Sequence, residues 1–263
     1  MKLGDCLKIC GFAAAVTGVV AVPSEAQRWT GGEDVTEFNV PYDGRFTFVR
    51  LAFTPLDLGR SGWGRRGRRR RDLGWDHDWP IAETNLNKIL NEITDVRPYM
   101  EGSNILRADD PELCKYPLAY VSEPGYWTVS EAEAEGLRNY LLKAGFLIFD
   151  DFAGAYQWAN FEQKMLTVLP DARPMRLDSS HQIFHSFFDI DSLTQQHPYY
   201  GVMSEYWGVF EDNDPSKRLM VIVNYNNDIG DLWEYSDTGW YPIPLSNEAY
   251  KLGINYVVYS MTH

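Results

Sequence analysis

Four consecutive apolar residues, Phe146-Leu147-Ile148-Phe149, follow directly on Gly145 and end at the acid pair Asp150-Asp151. A strand with one face in water alternates apolar and polar residues, so an unbroken run fits a strand covered on both faces, as in a parallel sheet. The segment before it reads as a helix. Ser130 and Glu133 form a capping-box pattern, Leu137, Leu141 and Ala144 supply a buried stripe, and Gly145 stands where helices commonly stop.

The same alternation recurs along the chain. Residues 46–53 and 118–122 read as strands, 96–100 as a short strand, and 218–224 as a second fully buried one. Pro80 opens a helix that carries Leu86, Ile89, Leu90 and Ile93 on one face, and 159–169 reads as another helix. Asn247 is expected to cap a last helix whose Tyr250, Ile254, Val257 and Met261 share a face. Strands taking turns with helices predict an α/β fold, a three-layer sandwich around a mostly parallel sheet, in one domain over 45–263 after an extension at 27–44.

The first 26 residues read as a signal peptide. Lys2 and Lys8 precede an uncharged run of about 13 residues, shorter than the roughly 20 that span a bilayer, and Ser24-Glu25-Ala26 has small residues where a signal peptidase cuts. The expectation is an exported protein, periplasmic or secreted, without a transmembrane helix once Ala26 is cleaved from Gln27. Cys6 and Cys10 would leave with the signal, so that Cys114 could form no internal disulfide. No histidine stands beside Cys114 to activate it, and it reads as a passive thiol.

A formal charge of −13 argues against nucleic acid as a partner. Seven of the 24 basic residues nevertheless fall between Arg60 and Arg71, interrupted by Gly62, Gly64 and Gly67. This Arg/Gly-rich loop at 59–72, with Arg65, Arg66, Arg68, Arg69, Arg70 and Arg71, reads as a solvated insertion or as a salt-sensitive contact for an anionic membrane surface or an acidic partner.

In sheets of this kind ligands bind beyond the carboxyl ends of the strands. Asp150 and Asp151 stand at such an end, where a carboxylate could hold a divalent metal or act as a base; the alternative is that both cap loop and helix amides. Glu123 follows the 118–122 strand and is either a partner to them or part of a turn. His181 and His185 lie four apart, but Gln182 stands where a zinc peptidase needs glutamate. Asp76-His77-Asp78 has a ligand-like pattern but borders the arginine loop, and is read as a solvated turn ahead of a ligand set. The stretch 224–233, which includes Asp228 and Trp233, is rich in groups that hydrogen-bond hydroxyls and would suit a sugar or peptide, or is an ordinary polar loop. No Gly-x-Ser-x-Gly elbow, phosphate loop or zinc-finger spacing occurs.

Several motifs occur in order along the chain: Phe46-Thr47-Phe48-Val49-Arg50-Leu51, Trp79-Pro80-x-x-Glu83-x-Asn85-Leu86, Asp110-Pro111-Glu112-Leu113 with Tyr116-Pro117, Gly145-Phe146-Leu147 before Asp150-Asp151, His181-x-Ile183-Phe184, Asn227-Asp228-x-Gly230 with Trp233, and Leu252-Gly253-x-Asn255. Together they resemble the bacterial domain-of-unknown-function family 4159 from about Arg45 to His263. The resemblance implies a flavodoxin-like sandwich akin to class I glutamine amidotransferases and trehalose-utilisation proteins. In that fold the nucleophilic cysteine occupies the turn where Asp150-Asp151 stand here, which argues against glutamine hydrolysis. Asp150, Asp151, His181 and Asp228 are then the candidate ligand or metal residues, with Glu83, Asn85, Glu123 and Trp233 expected to line the crevice. Two functions follow: a non-catalytic envelope module that binds a protein or glycan, or a metal- or carboxylate-dependent hydrolase of a carbohydrate-like substrate.

Overall fold

The computed structural model describes residues 39–56, 73–100 and 103–263; the signal peptide and the arginine loop fall outside the described residues. Seven strands form one sheet: β1 (Val49–Ala52), β2 (Asn104–Arg107), β3 (Leu118–Ser122), β4 (Phe146–Phe152), β5 (Met175–Arg176), β6 (Glu205–Phe210) and β7 (Leu219–Tyr225). Their order is β2-β1-β3-β4-β7-β6-β5. Strands β2, β1, β3, β4 and β7 are mutually parallel, β6 runs antiparallel to β7, and β5 runs antiparallel to β6. Within the parallel part the winding reverses between β1 and β3, the doubly wound arrangement whose ligand crevice opens at the carboxyl strand ends.

The apolar run of β4 is buried on both sides, as its sequence requires. Leu147 and Phe149 pack into one core with α2 (Glu131–Leu142) and α3 (Gly154–Val168). Phe146 and Ile148 pack into the other with α1 (Ile81–Ile93), α4 (Ile229–Glu234) and α5 (Ile243–Thr262). Each such side chain contributes about 1.5–3 kcal/mol by leaving water, and period-two alternation divides that contribution between two helical layers.

Local details depart from expectation for identifiable reasons. Residues 96–100 form no strand: Pro98 has no N–H to donate, and the segment is tied by a bond from Tyr99 N to the Phe46 carbonyl (2.7 Å), while β2 begins at Asn104. Ser130 and Glu133 do form the capping box of α2, but Ala144 is exposed and takes the left-handed position after it (φ 70°). Gly145 is needed instead for close approach, since a Cβ there would lie 2.5 Å from the Tyr140 ring. Helix α3 starts at Gly154, ahead of 159, because Gln157 Oε1 accepts from Ala153 N and holds the first turn. Asn247 lies inside α5, which begins after Pro242 with Pro244 in its first turn, where a missing N–H costs nothing.

The free edge of β2 is covered by side chains. Asn39 Nδ2 donates to the Ile105 carbonyl (2.8 Å) and its Oδ1 accepts from Ile105 N (2.7 Å), while Asn104 pairs in the same manner with the backbone of Val40.

Candidate functional site

Beyond the carboxyl ends of β3, β4 and β7 lies a cavity of about 390 Å³, lined by His77, Asp78, Glu123, Asp151, Asp228 and Asp231 together with Tyr126, Phe152, Gln157, His197, Tyr199 and Tyr200. Four of its bordering residues are non-glycines with left-handed backbone, one at each approach: Asp78 (φ 63°), Glu123 (48°), Asp151 (58°) and Asn226 (56°). Such conformations cost on the order of 1 kcal/mol each and persist where surrounding contacts over-determine them. At Asp151 the cause is visible. The register of β4 against β7 shifts between Phe149 and Phe152, and this bulge turns Asp151 into the cavity while Asp150 points below it.

Asp150 is therefore structural. It is fully buried: Oδ2 accepts from the Tyr120 hydroxyl (2.8 Å) and from the amides of Ile229 (2.9 Å) and Gly230 (3.0 Å), and Oδ1 accepts from Asn224 Nδ2 (3.1 Å). It anchors the start of α4 to the middle of the sheet. Burial, followed by the charge of Asp151, pushes its pKa from 3.8 up to about 7.

Arg50, buried on β1, is the second anchor. Its Nε donates to Glu83 (2.6 Å), its guanidinium stacks over Tyr120 (4.9 Å), and Nη1 donates to the carbonyls of Trp75 (3.0 Å) and His77 (2.5 Å). This grip fixes the loop that presents His77 and Asp78. Glu83 thus acts behind the crevice through Arg50 and does not line it. Asn85 does not line it either, because its amide donates to the Trp233 carbonyl (3.0 Å) and joins α1 to α4. The indole of Trp233 is buried between Tyr120 and Gly253.

In the cavity the ionisable groups crowd together. His77 Nδ1 lies 3.1 Å from Glu123 Oε1 and 3.7 Å from Asp151 Oδ2, and the Ser122 hydroxyl donates to that same Asp151 oxygen (3.3 Å). Asp228 caps α4 by accepting from Asp231 N (2.9 Å), and Asp231 Oδ2 accepts from the Tyr241 hydroxyl (3.0 Å). Asp78 Oδ2 is buried without a hydrogen-bond donor. Among the described residues three sets have their ligand atoms mutually within 4.8 Å: His77, Glu123 and Asp151; Asp78, Asp151 and Asp228; Asp78, Asp231 and Glu234. Burial, then repulsion from Asp151, raises the pKa values of both Asp78 and Asp228 well above the usual carboxylate range. So many acids facing one space need protons or a cation to stay there, and Arg50, a guanidinium close by among the described residues, is engaged with Glu83.

The sequence candidates thus divide. Asp151, Asp228 and Glu123 meet in the cavity; Asp150, Glu83, Asn85 and Trp233 support it from below. His181 lies at the other end of the sheet. It packs on Phe210 and Tyr259, and Phe210 pairs with Leu219 at the start of β7, whereas the cavity opens past Tyr225. Its Nδ1 accepts from Ile183 N at the head of a short 3-10 helix (Gln182–His185), so the two histidines share no α-helical face. Cys114 is exposed and lines no part of the cavity.

Sequence reading ranked a solvated turn above a ligand role for His77 and Asp78. They form a half-buried wall of the cavity rather than a solvated turn, because Arg50 pulls their loop down onto the sheet. Asp231 was read only as part of the 224–233 stretch, and His197, Tyr199 and Tyr200 were missed. For Asp231 the signal was its place three residues after Asp228 in a helix start; for the loop residues no periodic signal exists.

A family profile described as Domain of unknown function (DUF4159) matches residues 67–261, a span that contains every ionisable residue of the cavity. No curated protein matches the chain.

Proposed function

Because this chain belongs to the DUF4159 family, a domain of unknown function, its activity has to be read from its site, and we propose that it is a divalent-cation-dependent hydrolase of a carbohydrate-like substrate. The supporting observation is the convergence of His77, Glu123 and Asp151 within 4.8 Å of one another beside the acids Asp228 and Asp78. One imidazole with two carboxylates suits Zn²⁺ or Mn²⁺. A divalent cation there would supply Lewis acidity and lower the pKa of water. Asp228, whose hold on a proton is strengthened by burial, is suited to protonate a leaving-group oxygen, as raised carboxylic acids do in glycosidic chemistry. Tyr126, Tyr199 and Tyr200 offer ring faces and hydroxyls to a sugar.

Calorimetric titration of chelator-stripped protein with Zn²⁺ and Mn²⁺ tests the reading. Binding should be lost in His77→Ala and Asp151→Asn, whereas Asp228→Asn should still bind the cation but fail to turn over glycan substrates. Wild-type protein that binds neither ion, with no rise in melting temperature, refutes it.

A second reading has its own support. The exposed rings of Tyr199 and Tyr200 at the mouth would also suit a non-catalytic envelope module that holds a protein or glycan on an amidotransferase-like scaffold lacking its cysteine. Ligand binding without cation or turnover would favour it. Under either reading the protein is exported to the periplasm or beyond, with the arginine loop as a second contact for an anionic surface.

A further inference from the structure

The wall of the cavity continues outward as a row of aromatic rings. Tyr200 packs on His197 at 4.5 Å between centroids. From Tyr199 the row runs to Tyr241 (6.3 Å), then Tyr235 (6.2 Å), then Trp240 (6.4 Å). Tyr199, Tyr200 and Trp240 are 60%, 64% and 69% exposed, which leaves large ring faces in water. Exposed apolar surface of this size is a cost that a folded domain usually avoids away from a binding surface.

The row is held in place. The Tyr241 hydroxyl donates to Asp231 Oδ2 (3.0 Å), so the row is rooted in a residue of the cavity itself. The Thr238 hydroxyl donates to the Tyr235 carbonyl (2.8 Å) and accepts from Trp240 N (3.1 Å), which fixes the turn between those two rings. Rings already ordered in the free protein lose little entropy when a ligand lies on them.

Charge selects the ligand. Among the described residues the cavity is lined by four aspartates and a glutamate and by neither lysine nor arginine, a lining that disfavours a polyanion. What remains is a ligand with apolar faces to stack, hydroxyls to pair with carboxylates and phenols, and enough length to reach from Asp231 to Trp240. We infer that the site takes a linear, uncharged polysaccharide, with one unit in the cavity and successive units along the Tyr199–Tyr241–Tyr235–Trp240 row. This rests on the carbohydrate reading above and specifies it as a chain rather than a single sugar.

Calorimetric titration with β-1,4-linked glucose and N-acetylglucosamine oligomers, from dimer to hexamer, tests the inference on the full chain. Wild-type affinity should rise with length. Trp240→Ala should weaken the hexamer about ten-fold, the loss of one aromatic anchor, and leave the dimer unchanged. Asp228→Asn should keep the length dependence even where turnover is lost. Affinity independent of length, equal loss for dimer and hexamer, or no binding to either series overturns the inference. So does a concentration-dependent dimer in ultracentrifugation that Trp240→Ala abolishes while sugar binding is untouched, since the row would then be a self-association surface. Failure of cation binding with the length dependence intact would instead refute the hydrolase reading alone.

Discussion

Replacing Asp150 with asparagine separates a structural acid from a catalytic one. In the folded protein its carboxyl titrates near pH 7 rather than 3.8, chiefly because it is buried. The folded state therefore keeps a proton that the unfolded chain releases, and stability falls as pH rises from about 4 to about 7. The displacement corresponds to about 4 kcal/mol in all, of which about 3 kcal/mol lies between pH 5 and pH 8. Asparagine keeps the shape without the charge. Its carbonyl can accept from Tyr120, Ile229 and Gly230, and its amide can face Asn224 if that side chain turns over, since the Tyr256 hydroxyl now donating to Asn224 (2.8 Å) can accept instead. Urea unfolding followed by tryptophan fluorescence, in chelator at pH 5, 6, 7 and 8, gives the stability of both proteins. Asp78 and Asp228 are also raised and give both proteins the same downward trend, so the informative quantity is the difference between the curves. Asp150→Asn should gain on wild type as pH rises and be at least as stable at pH 8. A difference that does not change with pH would refute the assignment of the buried titration to Asp150.

Three further outcomes follow from the same contacts. Gly230→Ala would bring a Cβ within 2.4 Å of Asp78 Oδ2 and 2.7 Å of the Tyr120 hydroxyl, an overpacking cost of about 1–3 kcal/mol visible as a lower melting temperature. Asp151→Gly removes the strain of a left-handed aspartate at φ 58° and should stabilise the fold by about 1 kcal/mol; the same variant should bind no Zn²⁺ or Mn²⁺ in calorimetry. Arg50→Met strands the buried Glu83 carboxylate and should cost about 3–5 kcal/mol in urea unfolding, only part of it recovered in Arg50→Met with Glu83→Leu, because the Trp75 and His77 carbonyls still lose their donor.

The layers of the fold were legible because burial on two faces leaves an unmistakable run of apolar residues, as in Phe146-Leu147-Ile148-Phe149 and in β7. Strand β6 was not, since Glu205 and Trp207 are half-buried at a position where the sheet turns antiparallel. At the site, the pair Asp150-Asp151 marked the right strand end, but a single bulge decides which carboxylate meets the cavity, and a one-residue slip in a strand reverses every side chain after it. His77 and Asp78 were obscured by a different cause. Their burial depends on Arg50, at 1% exposure one of the largest fully buried side chains, and an arginine inside a strand pattern does not announce what it grips. His181 was drawn in by its spacing to His185 and by the motif His181-x-Ile183-Phe184, and neither says which end of a sheet a loop reaches.

The asparagine clasp on β2 also bears on how this protein behaves when concentrated. An edge strand with open N–H and C=O groups is a template on which a second chain can add a strand. Here the Asn39 side-chain amide occupies both backbone groups of Ile105, and Asn104, itself in β2, returns the pairing to the backbone of Val40. Two asparagines thus act as a terminator, ending the hydrogen-bond ladder at Ile105. Loss of the segment at 39–40 would leave the N–H and C=O of Ile105 open to a strand from a second chain.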